Sequence, residues 1–199
     1  MKHFIIGLGH RSKVGKDTTA LMIKKVLAEL SPELTVKIMP LAWAVKSIAH
    51  LLYSWAGLRE AMYYEERRDA RYIPLPIIGL TPVEIWIRLG TPAIREQVYE
   101  DTWVKFLLHN IDLSPPGVII IPDVRFPNEA KAIKEKNGRL VKIDNIKVKW
   151  DEKLKADFYM LDYTGWDYLI NNDGTLEELE AKTRTLLNTF AKEIQIEHE

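Results

Sequence analysis

The sequence predicts an α/β protein with three layers, in which a parallel sheet is flanked by helices on both faces. Short apolar runs typical of buried strands alternate along the chain with helical patterns, which is the order that parallel βαβ units produce. The 199 residues are also enough for one domain of this kind with a full core, and neither an internal repeat nor a linker interrupts them. We therefore expect a single domain over residues 1–199.

Five segments are predicted as strands because they are short, apolar or alternating, and bounded by turn residues. They are Phe4–Ile6, Leu34–Met39, Gly117–Asp123, Arg139–Ile143 and Tyr168–Ile170. The run GVIIIPD, which begins at Gly117, is typical of a central strand that is buried on both faces.

Helices are predicted where apolar or charged residues recur at helical spacing between start and stop signals. They cover Lys16–Leu30, Trp43–Trp55, Glu60–Arg71, Pro82–Gly90, a segment beginning at Thr91 and Pro92, Asn128–Lys136, and a final helix that runs to about Lys192. Two of the helix starts are marked by capping boxes, Thr81 with Glu84 and Thr175 with Glu178.

The composition excludes several classes of function. Lys+Arg and Asp+Glu each number 28, so the formal net charge is zero, which argues against a general binder of nucleic acid or of membrane surfaces. The absence of cysteine excludes disulfides and thiolate metal sites. No apolar run approaches the roughly 18 residues that a membrane span needs. We expect a soluble intracellular protein that binds neither nucleic acid nor membranes stably.

The first chemical motif lies between Lys2 and Ala20, where an apolar strand is followed by a cationic loop and then by Gly15-Lys16-Asp17-Thr18 at the start of a helix. Gly15 lacks the Cβ that would keep backbone N–H groups from wrapping a polyphosphate. The helix adds unpaired N–H groups and a positive dipole end, and Lys16 can reach the outermost phosphates as a point charge. This segment predicts a nucleoside triphosphate site.

The motif departs from the usual G-x-x-x-x-G-K-[ST] pattern in two places. His10 occupies the position of the first glycine, so either His10 adopts a backbone geometry normally left to glycine, or the loop begins one residue earlier at Gly9. Asp17 replaces the hydroxyl residue that usually binds Mg²⁺. We therefore expect Thr18 to supply that hydroxyl, while Asp17 caps the helix or approaches the metal.

A second motif, Asp123-Val124-Arg125-Phe126-Pro127-Asn128-Glu129, lies at the carboxyl end of the apolar strand that begins at Gly117. Ligands of open α/β sheets bind at the carboxyl ends of the strands, so Asp123 and Arg125 are expected to face the same crevice as the phosphate loop. There, an aspartate suits Mg²⁺ and an arginine can hold a phosphate bidentately. The alternative is a turn in which Asp123 pairs with Arg125 and holds the start of the next helix.

Several other cations and amides admit two interpretations. Arg11 and Lys13 lie inside the phosphate loop and face either the ligand or solvent. Asn172 follows a strand and either contacts the adenine of a nucleotide or only forms a turn. The arginines Arg59, Arg67, Arg68 and Arg71 alternate with acids, which favours a solvated salt-bridged face over an acceptor site. The lysine-rich stretch at 145–163 is either a lid over the nucleotide or plain surface.

Four blocks of the sequence, taken in order, resemble the bacteriophage-type deoxynucleoside monophosphate kinases, which are P-loop kinases related to adenylate kinase. The blocks are IIGLGHRSKVGKDTT, RLGTPAIRE with the following DTWV, IIIPDVRFPNEAKAI and LINNDGTLEEL. The resemblance implies a P-loop kinase fold and the transfer of the γ-phosphoryl group of ATP to a deoxynucleoside monophosphate. It also implies a cytoplasmic enzyme, in the host cell if the source is viral, and it is compatible with a homodimer.

The resemblance assigns roles to residues of this chain. It implies that Gly15, Lys16, Asp17 and Thr18 hold ATP and Mg²⁺, with Asp123 as a further metal residue. The remaining residues predicted to bind ATP are Gly9, Arg11, Lys13, Val14, Thr19 and Asn172. Arg88, Arg95 and Arg125 are expected to bind the acceptor or the transferring phosphoryl group. Arg88 and Arg95 lie within a predicted acceptor-binding helical insert at about 43–110. A kinase of another small acceptor, and a nucleotide-dependent switch or ATPase, are the alternative functions.

Overall fold

The computed structural model describes residues 3–149 and 158–194, and it contains one sheet of five parallel strands in the order β2-β3-β1-β4-β5. The strands are β1 (Phe4–Gly9), β2 (Val36–Ile38), β3 (Val118–Val124), β4 (Arg139–Asp144) and β5 (Tyr168–Asn171). All five predicted strands are thus present, with ends shifted by three residues at most. The first strand lies at the centre, between β3 and β4.

Eleven helical segments of three kinds connect and flank the strands within the described residues. The α-helices are α1 (Lys16–Leu30), α2 (Ala42–Tyr53), α3 (Ala61–Glu66), α4 (Pro82–Arg88), α5 (Thr102–Asp112), α6 (Pro127–Glu135), α7 (Leu176–Thr189) and α8 (Ala191–Ile194). Two 3₁₀ segments cover Ser54–Ala56 and Arg68–Tyr72, and a π-helix covers Leu89–Arg95. Within the described ranges, none of these helices combines the length and the apolar character that a membrane span requires.

The core lies on both faces of the sheet, as the three-layer prediction requires. On one face Ile6 and Leu8 of β1 pack with α1 and α7 in a single buried cluster. On the other face α6 approaches so closely that a Cβ on Gly7 would lie 2.9 Å from Ile133. Burial of a side chain such as Ile6, which is fully shielded, contributes about 1.5–3 kcal/mol. The α/β class and the parallel sheet are therefore confirmed.

A register shift separates the two halves of the pairing between β1 and β3. Gly7 pairs with Ile121, but Gly9 pairs with Val124, so β3 contains one extra residue there. Pro122 lies in that interval, and it has no N–H to donate to a ladder. Proline is tolerated inside a sheet at such a bulge. The sequence pattern predicted the strand but not this irregularity.

The chain divides into two compact units, where the sequence predicted one domain with a helical insert. One unit comprises Met1–Pro40 and Ile111–Glu199 and contains the whole sheet. The other, Leu41–Asn110, is helical and has nearly the bounds expected for the insert. Its buried residues include a cluster around Tyr64 and Ile85 and another around Val45 and Trp103. The acceptor-binding role of this unit stays a prediction.

Two helix predictions in the second unit were wrong in detail. The charge-dense segment Glu60–Arg71 is not one helix, because α3 ends at Glu66 and a separate 3₁₀ segment follows. Gly90 does not stop the helix that begins at Pro82, because the chain continues from α4 directly into the π-helix that contains Pro92. The wider π turn accommodates a proline, which the i to i−4 bonding of an α-helix does not.

Candidate functional site

The carboxyl ends of four strands meet at one edge of the sheet. Gly9 pairs with Val124 on β3 and with Lys142 on β4, and Asp144 on β4 pairs with Asn171 on β5. The loops that follow β1, β3, β4 and β5 therefore start side by side. This is the edge at which open α/β sheets bind ligands.

The loop after β1 contains three residues in the left-handed region, His10 (φ 94°), Lys13 (φ 64°) and Gly15 (φ 96°). Of the two alternatives for the first motif position, the structure shows the one in which His10 adopts a conformation normally left to glycine. Left-handed residues in such a turn direct successive backbone N–H groups into an anion-binding concavity. The loop backbone has the form expected of a phosphate cradle.

Gly15 lies where the loop enters α1, directly against Asn172 from the end of β5. A Cβ built on Gly15 would lie 2.1 Å from Asn172 Nδ2. That amide donates to the carbonyl of Val14 at 2.9 Å, and the Asn172 backbone N–H donates to Asp144 O at 2.6 Å. Asn172 thus holds the loop against β5, which is a structural role beyond a simple turn. Its predicted contact with adenine stays a prediction.

Lys16 is the first residue of α1, and its side chain returns into the loop. The residue is 7% exposed, and Nζ donates to the carbonyl oxygens of His10 at 3.1 Å and of Arg11. The ammonium group is therefore held at the concavity by backbone acceptors. Gly15 has no side chain to cap α1, so the positive end of the helix faces the same loop.

The three residues that follow Lys16 differ in their exposure to solvent. Asp17 and Thr18 are exposed in the first turn of α1. Thr19 is fully buried, and its hydroxyl donates to the carbonyl of Gly15 at 3.0 Å. The Thr19 hydroxyl thus stabilises the start of α1. Thr18 remains the accessible hydroxyl that the predicted Mg²⁺ site requires.

Arg11 has neither of the two orientations considered from the sequence, because its guanidinium is directed into the protein. It is 6% exposed and contacts Asp144 Oδ1 through Nε at 3.3 Å and through a terminal nitrogen at 2.9 Å. It also donates to the carbonyls of Asn145 at 2.8 Å and Val148 at 2.6 Å. Arg11 therefore ties the phosphate loop to the chain leaving β4. Lys13, by contrast, is exposed.

Asp144 and His10 have shifted pKa values at this junction. Burial opposes ionisation of Asp144, but the Arg11 guanidinium and the Asn145 N–H outweigh it and hold the pKa of Asp144 below its ordinary value. Burial and the nearby Lys142 ammonium lower the pKa of His10, although Asp144 lies 3.5 Å from Nδ1 and acts in the opposite direction. The lowered pKa of Asp144 favours an ionised carboxylate at the end of β4, and the lowered pKa of His10 favours a neutral imidazole in the loop.

Replacement of Asp144 by Asn is expected to flatten the acid side of the stability profile. Because the pKa of Asp144 is depressed in the folded state, its contribution is present above the unfolded value of about 3.9 and is lost as pH falls through the folded value. We expect Asp144→Asn to lower Tm at pH 7 and to show less further loss below pH 4, measured by circular dichroism. Asp162→Asn, at an exposed position, is the control. Parallel profiles for Asp144→Asn and the wild type would contradict this assignment.

The second motif lies at the end of β3, where Asp123 and Arg125 are both partly buried. The turn that presents them is held by Glu129, which is 3% exposed and accepts from the backbone N–H groups of Arg125 at 2.8 Å and Phe126 at 3.1 Å. Phe126 in turn stacks on Tyr159, with ring centroids 4.6 Å apart. The backbone at Arg125 is thus fixed by a buried carboxylate.

Arg88 and Arg95 belong to the helical unit. Arg88 is exposed in the last turn of α4, and Arg95 ends the π-helix at 8% exposure, with one terminal nitrogen 3.3 Å from Glu100 O. π-Helical turns are rare and frequently occur at functional sites. The roles of Arg88 and Arg95 toward an acceptor stay predictions.

The sequence analysis did not single out Asp144 and Trp166 near the loop, and it included Glu129 in the second motif without assigning it a role. Asp144 follows an apolar strand, which is the signal that identified Asp123, so the same rule could have found it. Glu129 lies three residues after Phe126, the spacing of a helix-start carboxylate. Trp166 gave no local signal, yet its ring lies 2.4 Å from where a Cβ on Gly9 would be. The predicted lid, 145–163, lies partly outside the described residues.

The loop has the features of a site for a nucleoside triphosphate. Left-handed backbone, a helix start without a side-chain cap at Gly15, and the inward Lys16 ammonium all favour polyphosphate. Across residues 3–149 and 158–194, no group of three or more acidic or histidine side chains could hold a metal by itself. Mg²⁺ is compatible with this, because it usually takes one or two carboxylates together with substrate phosphates.

A parallel sheet with a glycine-lysine loop between its central strand and the first helix defines an α/β protein of the P-loop class. The resemblance to deoxynucleoside monophosphate kinases is confirmed by two curated relatives that carry such names. One, from Acanthamoeba polyphaga mimivirus, is named as a deoxynucleotide monophosphate kinase and is 32% identical over 113 residues, 50% of this chain. The deoxynucleoside-5'-monophosphate kinase of Escherichia phage T5 is 36% identical over 73 residues, 37% of this chain.

The similarity covers only part of these proteins. The matched regions span 58% of the mimivirus protein and 28% of the phage protein. No protein-family model matches the chain. Among solved structures, a plasmid partition protein of Borrelia burgdorferi B31 bound to AMPPNP aligns over 98% of this chain and 100% of its own, with a TM-score of 0.43 and 13% identity. At that level the likeness indicates neither fold nor function.

Proposed function

We propose that this chain is a Mg²⁺-dependent deoxynucleoside monophosphate kinase, which transfers the γ-phosphoryl group of ATP to a deoxynucleoside monophosphate and forms a diphosphate and ADP. The observation that carries the proposal is the Lys16 ammonium, which is buried inside a left-handed loop at the start of a helix. The curated relatives support the choice of acceptor class. The proposal places the enzyme in the cytoplasm, where ATP and its acceptors occur.

In this proposal the phosphate loop binds the triphosphate through its backbone N–H groups, and Lys16 neutralises charge on the outer phosphates. Asp17, Thr18 and Asp123 would hold Mg²⁺, which neutralises charge on the phosphate oxygens when bound. Phosphoryl transfer needs two anions brought in line, with little proton chemistry required of the protein. Positive charge and geometry are therefore the main contributions expected of the chain.

Arg125 is the cation that the sheet unit contributes beside the loop. Its backbone is fixed by Glu129, so its side chain starts from a defined point at the end of β3. A guanidinium can bind a phosphoryl group bidentately and stabilise charge on the equatorial oxygens. Arg88 and Arg95 are the corresponding candidates in the helical unit.

An acceptor-dependence assay tests the proposal. Purified protein is incubated with ATP and Mg²⁺ and with each of the four deoxynucleoside monophosphates, AMP or CMP, and the nucleotide products are separated and counted. We expect ADP and deoxynucleoside diphosphate in equal amounts with at least one deoxynucleotide. Phosphate release that needs no acceptor would indicate a switch or ATPase instead, and turnover of AMP or CMP alone would indicate another acceptor class.

Arg125→Ala is expected to lower kcat by about 10²-fold or more, because it removes a cation from the developing phosphoryl charge. The affinity for a non-hydrolysable ATP analogue should change little, since the phosphate loop is intact. Lys131→Ala removes an exposed cation from the neighbouring helix and serves as the control. Wild-type turnover in Arg125→Ala would remove this residue from the mechanism.

A further inference from the structure

His10 is the unusual residue of the phosphate loop. It has φ 94°, a conformation in which a Cβ is unfavourable, at the position where the motif normally has glycine. Strained residues of this kind persist only where the surrounding structure over-determines them, and they cluster at functional sites. The surroundings of His10 therefore need to be identified.

The His10 side chain is enclosed at the junction between the loop and β4. The residue is 5% exposed, and Nδ1 lies 3.5 Å from Asp144 Oδ1. The same oxygen accepts from the Arg11 guanidinium at 2.9 Å and from the Asn145 N–H at 2.8 Å. The charges of Lys142 and Arg11 also act on the imidazole, and the ring forms a hydrogen bond with the backbone of Ile143. The ring is thus held at the fixed end of a parallel strand.

The backbone of His10 acts directly on Lys16. The His10 carbonyl accepts a hydrogen bond from Lys16 Nζ at 3.1 Å, and the carbonyl of Arg11 accepts a second. The orientation of these two carbonyls follows from the turn at His10. The side chain of His10 and the ammonium of Lys16 are therefore connected through one short stretch of backbone.

We propose that His10 is a positioning residue for Lys16. Its imidazole, hydrogen-bonded to the backbone of Ile143 and packed beside Asp144, holds the left-handed turn whose carbonyls place the Lys16 ammonium in the loop. The inference deepens the proposed function, since it rests on the phosphate loop binding ATP. It also explains why histidine serves where glycine would adopt the same φ without strain: glycine can take this turn, but it has no side chain to hold it there.

Glycine substitution separates the backbone requirement from the side-chain requirement. His10→Gly keeps access to φ 94° and removes the imidazole, whereas His10→Ala removes the imidazole and keeps the strain. His10→Asn is the conservative variant, because asparagine tolerates the left-handed region and retains a polar group toward Asp144. Asn137→Gly is the matched control, since Asn137 also has a positive φ, 58°, but lies at the end of α6.

The measurements are the Kd of a non-hydrolysable ATP analogue, kcat at saturating ATP, and Tm. We expect His10→Gly to weaken analogue binding and to lower kcat, each on the order of tenfold, with Tm near the wild-type value. His10→Ala should lose more in both and also in Tm, while His10→Asn should recover most of the loss. A merely structural histidine would change Tm and leave kcat at saturating ATP unaltered.

A double-mutant cycle tests the contact with Asp144. The losses of His10→Gly and Asp144→Asn in analogue affinity should be less than additive when combined, because the two residues act as one unit. Analogue affinity in His10→Gly equal to or tighter than wild type overturns the inference, whether or not kinase turnover is observed. Weakened analogue binding in a protein that phosphorylates no deoxynucleotide would support the role of His10 and refute the proposed acceptor.

Discussion

Lys16→Ala is expected to lower the turnover of a deoxynucleoside monophosphate by about 10³-fold while changing Tm by only a few degrees. The Lys16 ammonium is the cation that the phosphate loop itself holds inward, and a preorganised charge at the site of developing negative charge typically contributes this much. The stability effect is small because the desolvation cost of the ammonium is removed together with its hydrogen bonds to the carbonyls of His10 and Arg11. Coupled ADP formation and thermal unfolding give the two values.

Two further variants make the Lys16 result specific. Lys16→Met keeps an apolar stem in the buried position, so its turnover should fall as far as that of Lys16→Ala with still less change in Tm. Lys24→Ala removes an exposed cation of the same helix and should leave both values unchanged. Turnover of Lys16→Ala close to that of the wild type would remove Lys16 from the mechanism.

Gly15→Ala is expected to weaken binding of an ATP analogue by on the order of 10- to 100-fold and to destabilise the fold by about 1–3 kcal/mol. The new Cβ would be strained at φ 96°, and it would also lie 2.1 Å from Asn172 Nδ2. Asn172 would have to leave the carbonyl of Val14, so the loop would lose its attachment to β5. Isothermal calorimetry and chemical denaturation measure the two effects.

Gly57 supplies a matched control for the strain alone. It has φ 95°, and no atom lies within 4 Å of a Cβ built there. Gly57→Ala should therefore lose stability by about 1–2 kcal/mol without loss of analogue binding. Asn172→Ala combined with Gly15→Ala should recover stability by relief of the overlap. Equal analogue affinity in Gly15→Ala and Gly57→Ala would show that the overlap with Asn172 has no part in nucleotide binding.

Most of the fold could be predicted because its signals are local. Strands such as β3 are short apolar runs, and helices such as α4 and α7 begin at capping boxes that the structure contains. The alternation of the two then implies parallel strands at a shared edge. The strand order is not a local property, so the sequence left it open. The π-helix was missed because Gly90, Thr91 and Pro92 normally end one helix and start another.

The ligand-facing residues of the candidate site were predicted better than the residues that hold them in place. Gly15 and Lys16 could be predicted because an adjacent glycine-lysine pair follows an apolar strand at short distance along the chain. The partner of Arg11 is Asp144, 133 residues further along the chain, and nothing near Arg11 in sequence indicates that contact. The preference for glycine at the first motif position likewise indicates that His10 is atypical. It does not indicate which residues hold the His10 side chain. Such supports depend on which strands are neighbours, and this is settled only by the tertiary structure.

The extra residue at Pro122 determines which side chains the end of β3 presents to the crevice. Side chains alternate between the two faces of a strand, so one additional residue exchanges the faces for everything that follows it. If the same residues paired without the irregularity, Asp123 rather than Val124 would lie opposite Gly9. Deletion of Pro122 would restore regular pairing, with Asp123 opposite Leu8 and Val124 still opposite Gly9.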